Sequence, residues 1–387
     1  MSQPLHIVAD AHIWGAEAAL AHLPGFDVRL QLLENQQITR QALINTDILL
    51  TRSATRVNEQ LLAGTSVRFA ATATIGDDHY DKQWLETNGI TWANAAGSST
   101  GSVIEYMLAL LLDLHAHGMI IIPQTTIGIV GVGRIGSALA GICKKLGMQV
   151  LLNDPPRAKA EGAEGFSSLS QLLAQADLIT LHTPLIGEGE YATRHLLDQQ
   201  QLAAFSGKGI INAARGSCVD NEALLAWLNG DNSRFAALDC WEHEPRPLPE
   251  LFHHPQMAIA TPHIAGHSLD GKAANTLFAY NALCHFLQID PAWQMQMPPA
   301  PLLANIVSTN DTWRNLHHAV STLYPLADDS ESMKSWFGLS DCELPHAFTC
   351  YRRHYPMRRA WQHCPLHFTT AYAETERLAD VIGLNLV

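Results

Sequence analysis

The sequence predicts an α/β protein with two doubly wound parallel-sheet domains and a smaller C-terminal α+β domain. Three observations carry this. Short apolar runs alternate with helical patterns from His6 to Ala260, the rhythm of parallel sheets with helical crossovers. One of those runs, TTIGIV, leads straight into Gly131, Gly133 and Gly136 and then a helical pattern, the strand, turn and helix start of a dinucleotide-binding unit. Past Pro291 the alternation stops: prolines at 291, 298, 299 and 301 mark a linker, and no clean strand–helix–strand repeat is legible from there to Val387.

In the first hundred residues HIVAD (His6 to Asp10), FDVRL (Phe26 to Leu30), DILLT (Asp47 to Thr51) and VRFAATA (Val67 to Ala73) are expected as strands. Asn58 to Ala63 and Lys82 to Thr87 are expected as short helices. AAGSSTGS, from Ala95 to Ser102, is a small-residue hinge before the apolar helix VIEYMLALLLDL. The next unit supplies six candidate strands, Thr126 to Val130, Gln149 to Asn153, Leu178 to His182, Gly209 to Asn212, Ala236 to Cys240 and Met257 to Ala260. A helix over Leu269 to Leu287 returns the chain to the first domain. Beyond the linker, Thr312 to Tyr324 fits a helix and HFTTAYA a strand. The expected boundaries are a substrate domain over 1–98, a Rossmann-like NAD-binding domain over 99–265, the return helix over 266–290 and the third domain over 291–387. The first domain is expected to be Rossmann-like as well.

In the nucleotide turn Gly131 permits the tight bend and Gly133 the approach of a pyrophosphate. Arg134 and Ile135 open the helix and are expected to contact the cofactor, and Gly136 lets the helix pack on the strand. Asp154 follows the next strand about twenty residues on, where an acid can hold the adenosine ribose hydroxyls and select NAD over NADP.

The 387 residues are 47% hydrophobic, enough for two or three cored domains, and carry a net charge of −13, which argues against a nucleic-acid surface. Seven cysteines without a CxxC spacing fit reduced thiols in a reducing compartment. Twenty histidines lack the spacing of a metal site, so none is expected. No basic region followed by a hydrophobic signal segment opens the chain, and no apolar stretch is long enough to span a bilayer. A cytoplasmic protein with no membrane partner is expected.

Three positions carry chemistry. Arg215, in INAARGSCVD, follows a predicted strand, where its guanidinium can fork onto a substrate carboxylate. His263, in ATPHIAGHS, follows the last strand; a histidine there can take a hydroxyl proton as hydride leaves. Either Glu242 or Glu244, in DCWEHEP, can orient the imidazole; spacing alone does not choose. In the first domain the post-strand loop TRSATR, with Arg52 and Arg56, suits a carboxylate or phosphate as well as it suits a solvated, capped loop.

In this order GVGRIG, Asp154, HTP (182–184), NAARG (212–216), DCWEHEP (239–245) and TPHIAG (261–266) resemble the D-isomer-specific 2-hydroxyacid dehydrogenase family. TRSATRVNEQLL, TATIGDDHYD, NDPPRA and HIAGHSLDGK are similar to a branch of it that acts on a phosphorylated 2-hydroxy acid. FTCYRRHYPMRRAW is similar to that branch's C-terminal dimerisation domain, so a homodimer is implied. The resemblance implies that Arg215, Glu244 and His263 are catalytic, which selects Glu244 over Glu242. It implies NAD contacts at Asp154, Thr183, Ala213, Ala214, Asp239 and Gly266, with Asp239 near the nicotinamide. It also implies substrate contacts at Ser53 and Thr74, with Arg52 and Arg56 on the phosphate, and domain closure near Ser98 and Gly266. Two positions depart from the branch. His267 stands where a substrate-contacting tyrosine is usual, and Ser99 where an asparagine usually opens the long helix. Both can hydrogen-bond. Arg352, Arg353, Arg358 and Arg359 form a basic cluster with no role legible in the sequence. The alternatives are another D-2-hydroxy acid as substrate, or a non-catalytic NAD sensor.

Overall fold

The computed structural model describes residues 2–356 and 358–387. The chain divides into two compact units, Met1–Gly101 with His267–Pro299, and Ser102–Gly266 with Ala300–Val387.

The first unit holds β1 (Gln3–Asp10), β2 (Phe26–Leu33), β3 (Ile48–Thr51), β4 (Phe69–Thr72) and β5 (Thr91–Ala93), in the order β2-β1-β3-β4-β5. All pairs are parallel. ILLT and FAAT are buried at every position, hence their unbroken apolar run, whereas edge strand β2 alternates. The short helix is Glu59–Leu62, with Asn58 as its cap. Leu269–Leu287 forms one helix, and its Ala279, Tyr280 and Leu283 share a core with Phe69 and Ala71 of β4. Strand β5 lies outside the sequence expectation.

The second unit holds β6 (Thr126–Val130), β7 (Gln149–Asn153), β8 (Leu178–Leu181), β9 (Gly209–Asn212), β10 (Phe235–Leu238) and β11 (Met257–Ala260). Its order is β11-β10-β9-β8-β6-β7, all parallel, so the sheet reverses direction between β6 and β8. The apolar helix spans Thr100–Ala116 and is buried on nearly every face. Ser99, buried, immediately precedes it.

The C-terminal stretch corrects one expectation. Strands β12 (Ala304–Ile306), β13 (Pro365–Phe368) and β14 (Asn385–Leu386) form a parallel sheet, and the helix Ala373–Val381 links the last two. A strand–helix–strand repeat is therefore present; two-to-four-residue strands are too short to show a period. The second half of HFTTAYA leaves the strand and leads into that helix. Ile306, Leu316, Trp361 and Leu366 belong to the same apolar core as Met107 and Leu111 of the 100–116 helix. The helix Leu326–Lys334 lies along edge strand β11: Ala260 N–H donates to Ser330 Oγ at 3.0 Å, and Lys334 Nζ donates to the Ala258 carbonyl at 3.4 Å. Among the described residues no helix is long and apolar enough to cross a membrane.

Candidate active site

Sites in open parallel sheets gather at the carboxyl ends of the strands, where the order reverses. Here that point is β6. Gly131 takes φ +87°, and a Cβ on it would stand 2.8 Å from the His182 carbonyl, so the turn closes against the end of β8 only with glycine. A Cβ on Gly136 would collide with the Gly131 carbonyl, while one on Gly133 would meet nothing within 4 Å. Gly133 opens the helix Arg134–Lys145 with no side-chain cap, leaving its first N–H groups to an anion. Gly131→Ala is expected to abolish NAD binding, measured by the quench of protein fluorescence on titration; retained affinity would show that the turn can relax.

Beside the turn lies a cavity of about 610 Å³ lined by Gly131, Asp154, Phe166, Thr183, Tyr191 and others. Asp154 Oδ2 accepts the Val132 N–H at 2.8 Å, tying the acid to the glycine turn, and Oδ1 accepts the Arg157 N–H at 3.1 Å. Thr183 sits at the mouth of β8, its hydroxyl 3.5 Å from Cys218 Sγ. Turn, open helix start and cavity fit a dinucleotide.

Farther along the same edge the loops after β9, β10 and β11 interlock. Asn212 holds the first: its amide donates to the Arg215 carbonyl at 2.9 Å and its oxygen accepts the Ala214 N–H at 3.1 Å. A Cβ on Gly216 would collide with the Trp241 carbonyl, so only glycine lets this loop lie on the next one. Arg215, with Ala213 and Ala214 before it, thereby stands beside the stretch from Asp239 to Glu244, its Nη1 donating to the Ala214 carbonyl at 2.8 Å.

His263 is held from three sides in a left-handed conformation, φ +56°. Its N–H donates to the Asp239 carbonyl at 2.7 Å, and its carbonyl accepts from Arg352 Nε at 3.2 Å. Its Nδ1 lies 2.8 Å from Glu244 Oε2. Glu244 Oε1 accepts the Trp241 N–H at 2.8 Å. Burial presses the Glu244 carboxyl upward, but the nearby His263, its hydrogen bond and the Arg352 charge outweigh it, and the net displacement is downward. A carboxylate accepts from Nδ1–H, which leaves Nε2 as the nitrogen able to take a proton.

The structure brings Glu244 to His263 and takes Glu242 elsewhere, to His195 Nε2 at 2.7 Å and the Asn221 N–H at 2.9 Å. Asp239 is 1% exposed and works behind the histidine loop. Its carboxylate accepts from Thr261 Oγ1 at 2.8 Å, Ile264 N at 2.7 Å and Ala265 N at 3.0 Å, and Tyr106 OH lies 2.8 Å from Thr261 Oγ1. Burial pushes the Asp239 carboxyl up, against the pull of His263 and those bonds. Gly266 closes this loop and ends the first of the two segments of its unit.

Cys240 brings a thiol to the same spot, its Sγ within 4.8 Å of ligand atoms of Glu244 and His263. Burial drives that thiol well above its usual range, and it donates to the Ala214 carbonyl at 3.4 Å.

In the first unit the loops after β3 and β4 carry Arg52, exposed Ser53 and Arg56, and Thr74. Thr74 Oγ1 donates to the Gly76 carbonyl at 2.9 Å, so its contact with Thr72 Oγ1 at 2.7 Å makes Thr72 the donor, and His79 Nε2 at 3.1 Å supplies Thr72 in turn. One Thr74 lone pair is thus kept for another donor. His267 follows the last loop, ahead of the Ser268 cap.

Sequence reasoning left Arg352 without a role. It comes from the helix Glu343–Arg353, 89 residues from the histidine whose carbonyl it holds; its only local signal is a basic cluster. Arg358 of the same cluster pairs with buried Glu105 instead.

Hydride transfer needs a nucleotide beside a group that can take a proton, and the carboxyl edge of the second sheet supplies a cradle for one and a histidine–carboxylate pair for the other. The class is that of the NAD-dependent dehydrogenases. Residues 115–265 match the family model described as D-isomer specific 2-hydroxyacid dehydrogenase, NAD binding domain. The chain is 38% identical to an erythronate-4-phosphate dehydrogenase of Pseudomonas aeruginosa over 99% of its own length and 100% of the relative's. It is 41% identical to one of Chromohalobacter salexigens over 89% and 88%. Among solved structures, D-lactate dehydrogenase from Aquifex aeolicus shares the fold at a TM-score of 0.62 and 22% identity, over 73% of this chain and 95% of that one. The NAD-dependent formate dehydrogenase from Staphylococcus aureus does so at 0.60 and 24%, over 73% and 96%. This chain belongs to the D-isomer-specific 2-hydroxyacid dehydrogenase family, and its cofactor is NAD.

Proposed function

We propose that the chain oxidises 4-phospho-D-erythronate at C2 to (R)-3-hydroxy-2-oxo-4-phosphobutanoate, a step towards pyridoxal 5'-phosphate. The observation that carries the chemistry is the His263 Nδ1–Glu244 contact of 2.8 Å; the substrate rests on the full-length relatives of that name. NAD supplies the hydride acceptor. Arg215 forks onto the substrate carboxylate and polarises C2. His263 Nε2 takes the C2 hydroxyl proton, so the substrate loses one hydride and one proton and gains a carbonyl. Glu244 holds the imidazole and supports its charged form. Asp154, Thr183, Ala213, Ala214, Asp239 and Gly266 line or brace the nucleotide site. Ser53, Thr74 and His267 contact the substrate hydroxyls, with Arg52 and Arg56 on the phosphate.

The test compares kcat/KM for 4-phosphoerythronate and erythronate side by side. A preference of at least about 100-fold for the phosphorylated acid is expected, the worth of a bidentate charged contact and one more. Equal turnover of both would overturn the substrate.

The chain is further proposed to act as a homodimer through its C-terminal segment, in the cytoplasm. Leu302 (94% exposed), Val307 (66%) and Phe337 (50%) support the first, as apolar side chains in want of cover. Seven free cysteines support the second. A monomer by light scattering would exclude the dimer.

A further inference from the structure

The helix Leu269–Leu287 turns one stripe towards the carboxyl ends of the first sheet, and that stripe carries a cation with no counter-ion among the described residues. Ser268 caps the helix, accepting the Gly271 N–H at 2.9 Å. Positions 268, 272, 275 and 276 then fall on one face. Two hydrogen bonds fix where that face looks. Ser98, just after β5, donates to Asn275 Oδ1. Thr276 Oγ1 donates at 2.6 Å to the carbonyl of Trp14, which follows β1. In the sheet order β2-β1-β3-β4-β5 the strands between those two anchors are β3 and β4, whose loops hold Arg52 and Thr74. Lys272 sits on the same stripe one turn from the cap, near enough to Arg52 to feel its charge.

Its surroundings are those of half an anion site. Burial pushes the Lys272 ammonium down, and the Arg52 charge pushes it further, so the two cations feel each other. Among the described residues no carboxylate comes within ion-pair reach of Lys272. In the same turn as Arg52, Thr55 is 5% exposed and its hydroxyl has no hydrogen-bond partner among the described residues. Burial and the Arg52 charge both work against the Lys272 ammonium near the start of a 19-residue helix, a cost that an anion bound there would offset. A carboxylate carries one charge and is matched by one arginine. A phosphate monoester carries close to two, and takes a guanidinium fork and an ammonium point charge together.

We propose that Lys272 binds the substrate's phosphate jointly with Arg52 and sets the enzyme's preference for a phosphorylated acid. The assignment presupposes the phosphorylated substrate proposed above. Lys272→Met and Lys272→Arg, as full-length protein with NAD, are compared with the parent on 4-phosphoerythronate and on erythronate, and by inhibition with inorganic phosphate. In Lys272→Met the ratio of the two kcat/KM values is expected to fall about 10–100-fold. The loss appears in KM for the phosphorylated acid rather than in kcat, phosphate inhibition weakens, and Lys272→Arg restores most of it. Equal losses on both acids, or an unchanged ratio and unchanged phosphate inhibition, would overturn the role of Lys272. A parent that shows no preference between the acids, yet whose phosphate inhibition is lost in Lys272→Met, would overturn the substrate and leave the anion site standing.

Discussion

Replacing His263 with asparagine is expected to lower kcat about 10²–10⁴-fold while the Kd for NAD stays within about twofold, because the loss is that of a positioned proton acceptor. Asparagine keeps the backbone bonds of the loop: the 263 N–H can still reach the Asp239 carbonyl, and the carbonyl can still accept from Arg352. It also tolerates the left-handed φ that position 263 requires. What disappears is the nitrogen that accepts the proton. Glu244→Gln is expected to cost less turnover and to act on the pH profile. An amide can turn its oxygen to Nδ1–H but cannot neutralise an imidazolium, so the acidic limb of kcat/KM, where protonation of His263 removes the proton acceptor, shifts to lower pH. The same carboxyl titrates below its ordinary value in the folded chain. Its contribution to stability is therefore full above the ordinary carboxylate value and is lost as pH falls through the lower folded one. Thermal unfolding of Glu244→Gln followed from roughly pH 6 to pH 3 should depend on acid less steeply than that of the parent. Near-parental turnover in His263→Asn with an unchanged pH profile would remove His263 from the chemistry.

The second large effect is on stability. Arg358→Met is expected to destabilise the chain by about 3–5 kcal/mol, because it leaves the Glu105 carboxylate buried without its charge partner. Glu105 is 9% exposed, sits in the apolar helix Thr100–Ala116, and accepts from Arg358 Nη1 and from the Trp361 N–H at 2.7 Å. Arg358 also lies over the Tyr324 ring, 4.0 Å from its centroid, and its buried Nε and Nη2 have no hydrogen-bond partner among the described residues. An ion pair with unsatisfied donors gains little over a well-packed apolar pair. Glu105→Leu with Arg358→Met should therefore recover most of the loss in urea midpoint. A single Arg358→Met within about 1 kcal/mol of the parent would show that water reaches the carboxylate.

Which features the sequence exposes follows from how local their causes are. Strand β3, the nucleotide turn and the helix Leu269–Leu287 announce themselves within a dozen residues, through an apolar run, a glycine spacing and a cap. Strand β5 has three residues, Thr91–Ala93, and exists only because β4 offers it a ladder. Glu105 in an apolar helix makes sense only with Arg358, 253 residues later. Arg352 is the same case at the site, since its target is a backbone carbonyl, which no residue pattern records. Glu242 and Glu244 differ by a single loop turn, and spacing cannot say which carboxylate faces the imidazole. The C-terminal sheet stays hidden because its strands are shorter than any period.

The seating of the helix Leu326–Lys334 on β11 bears on how this chain can be cut. The outward N–H of Ala260 and carbonyl of Ala258 are occupied by Ser330 and Lys334. A protein ended near Pro299 would keep the nucleotide turn, Arg215, Glu244 and His263, yet present β11 as an open ladder for any extended chain, including its own copies. The last eighty-odd residues thus act, within a single chain, as a guard against self-association through strands. A shortened form is expected to come out of solution as aggregates long before its chemistry can be measured.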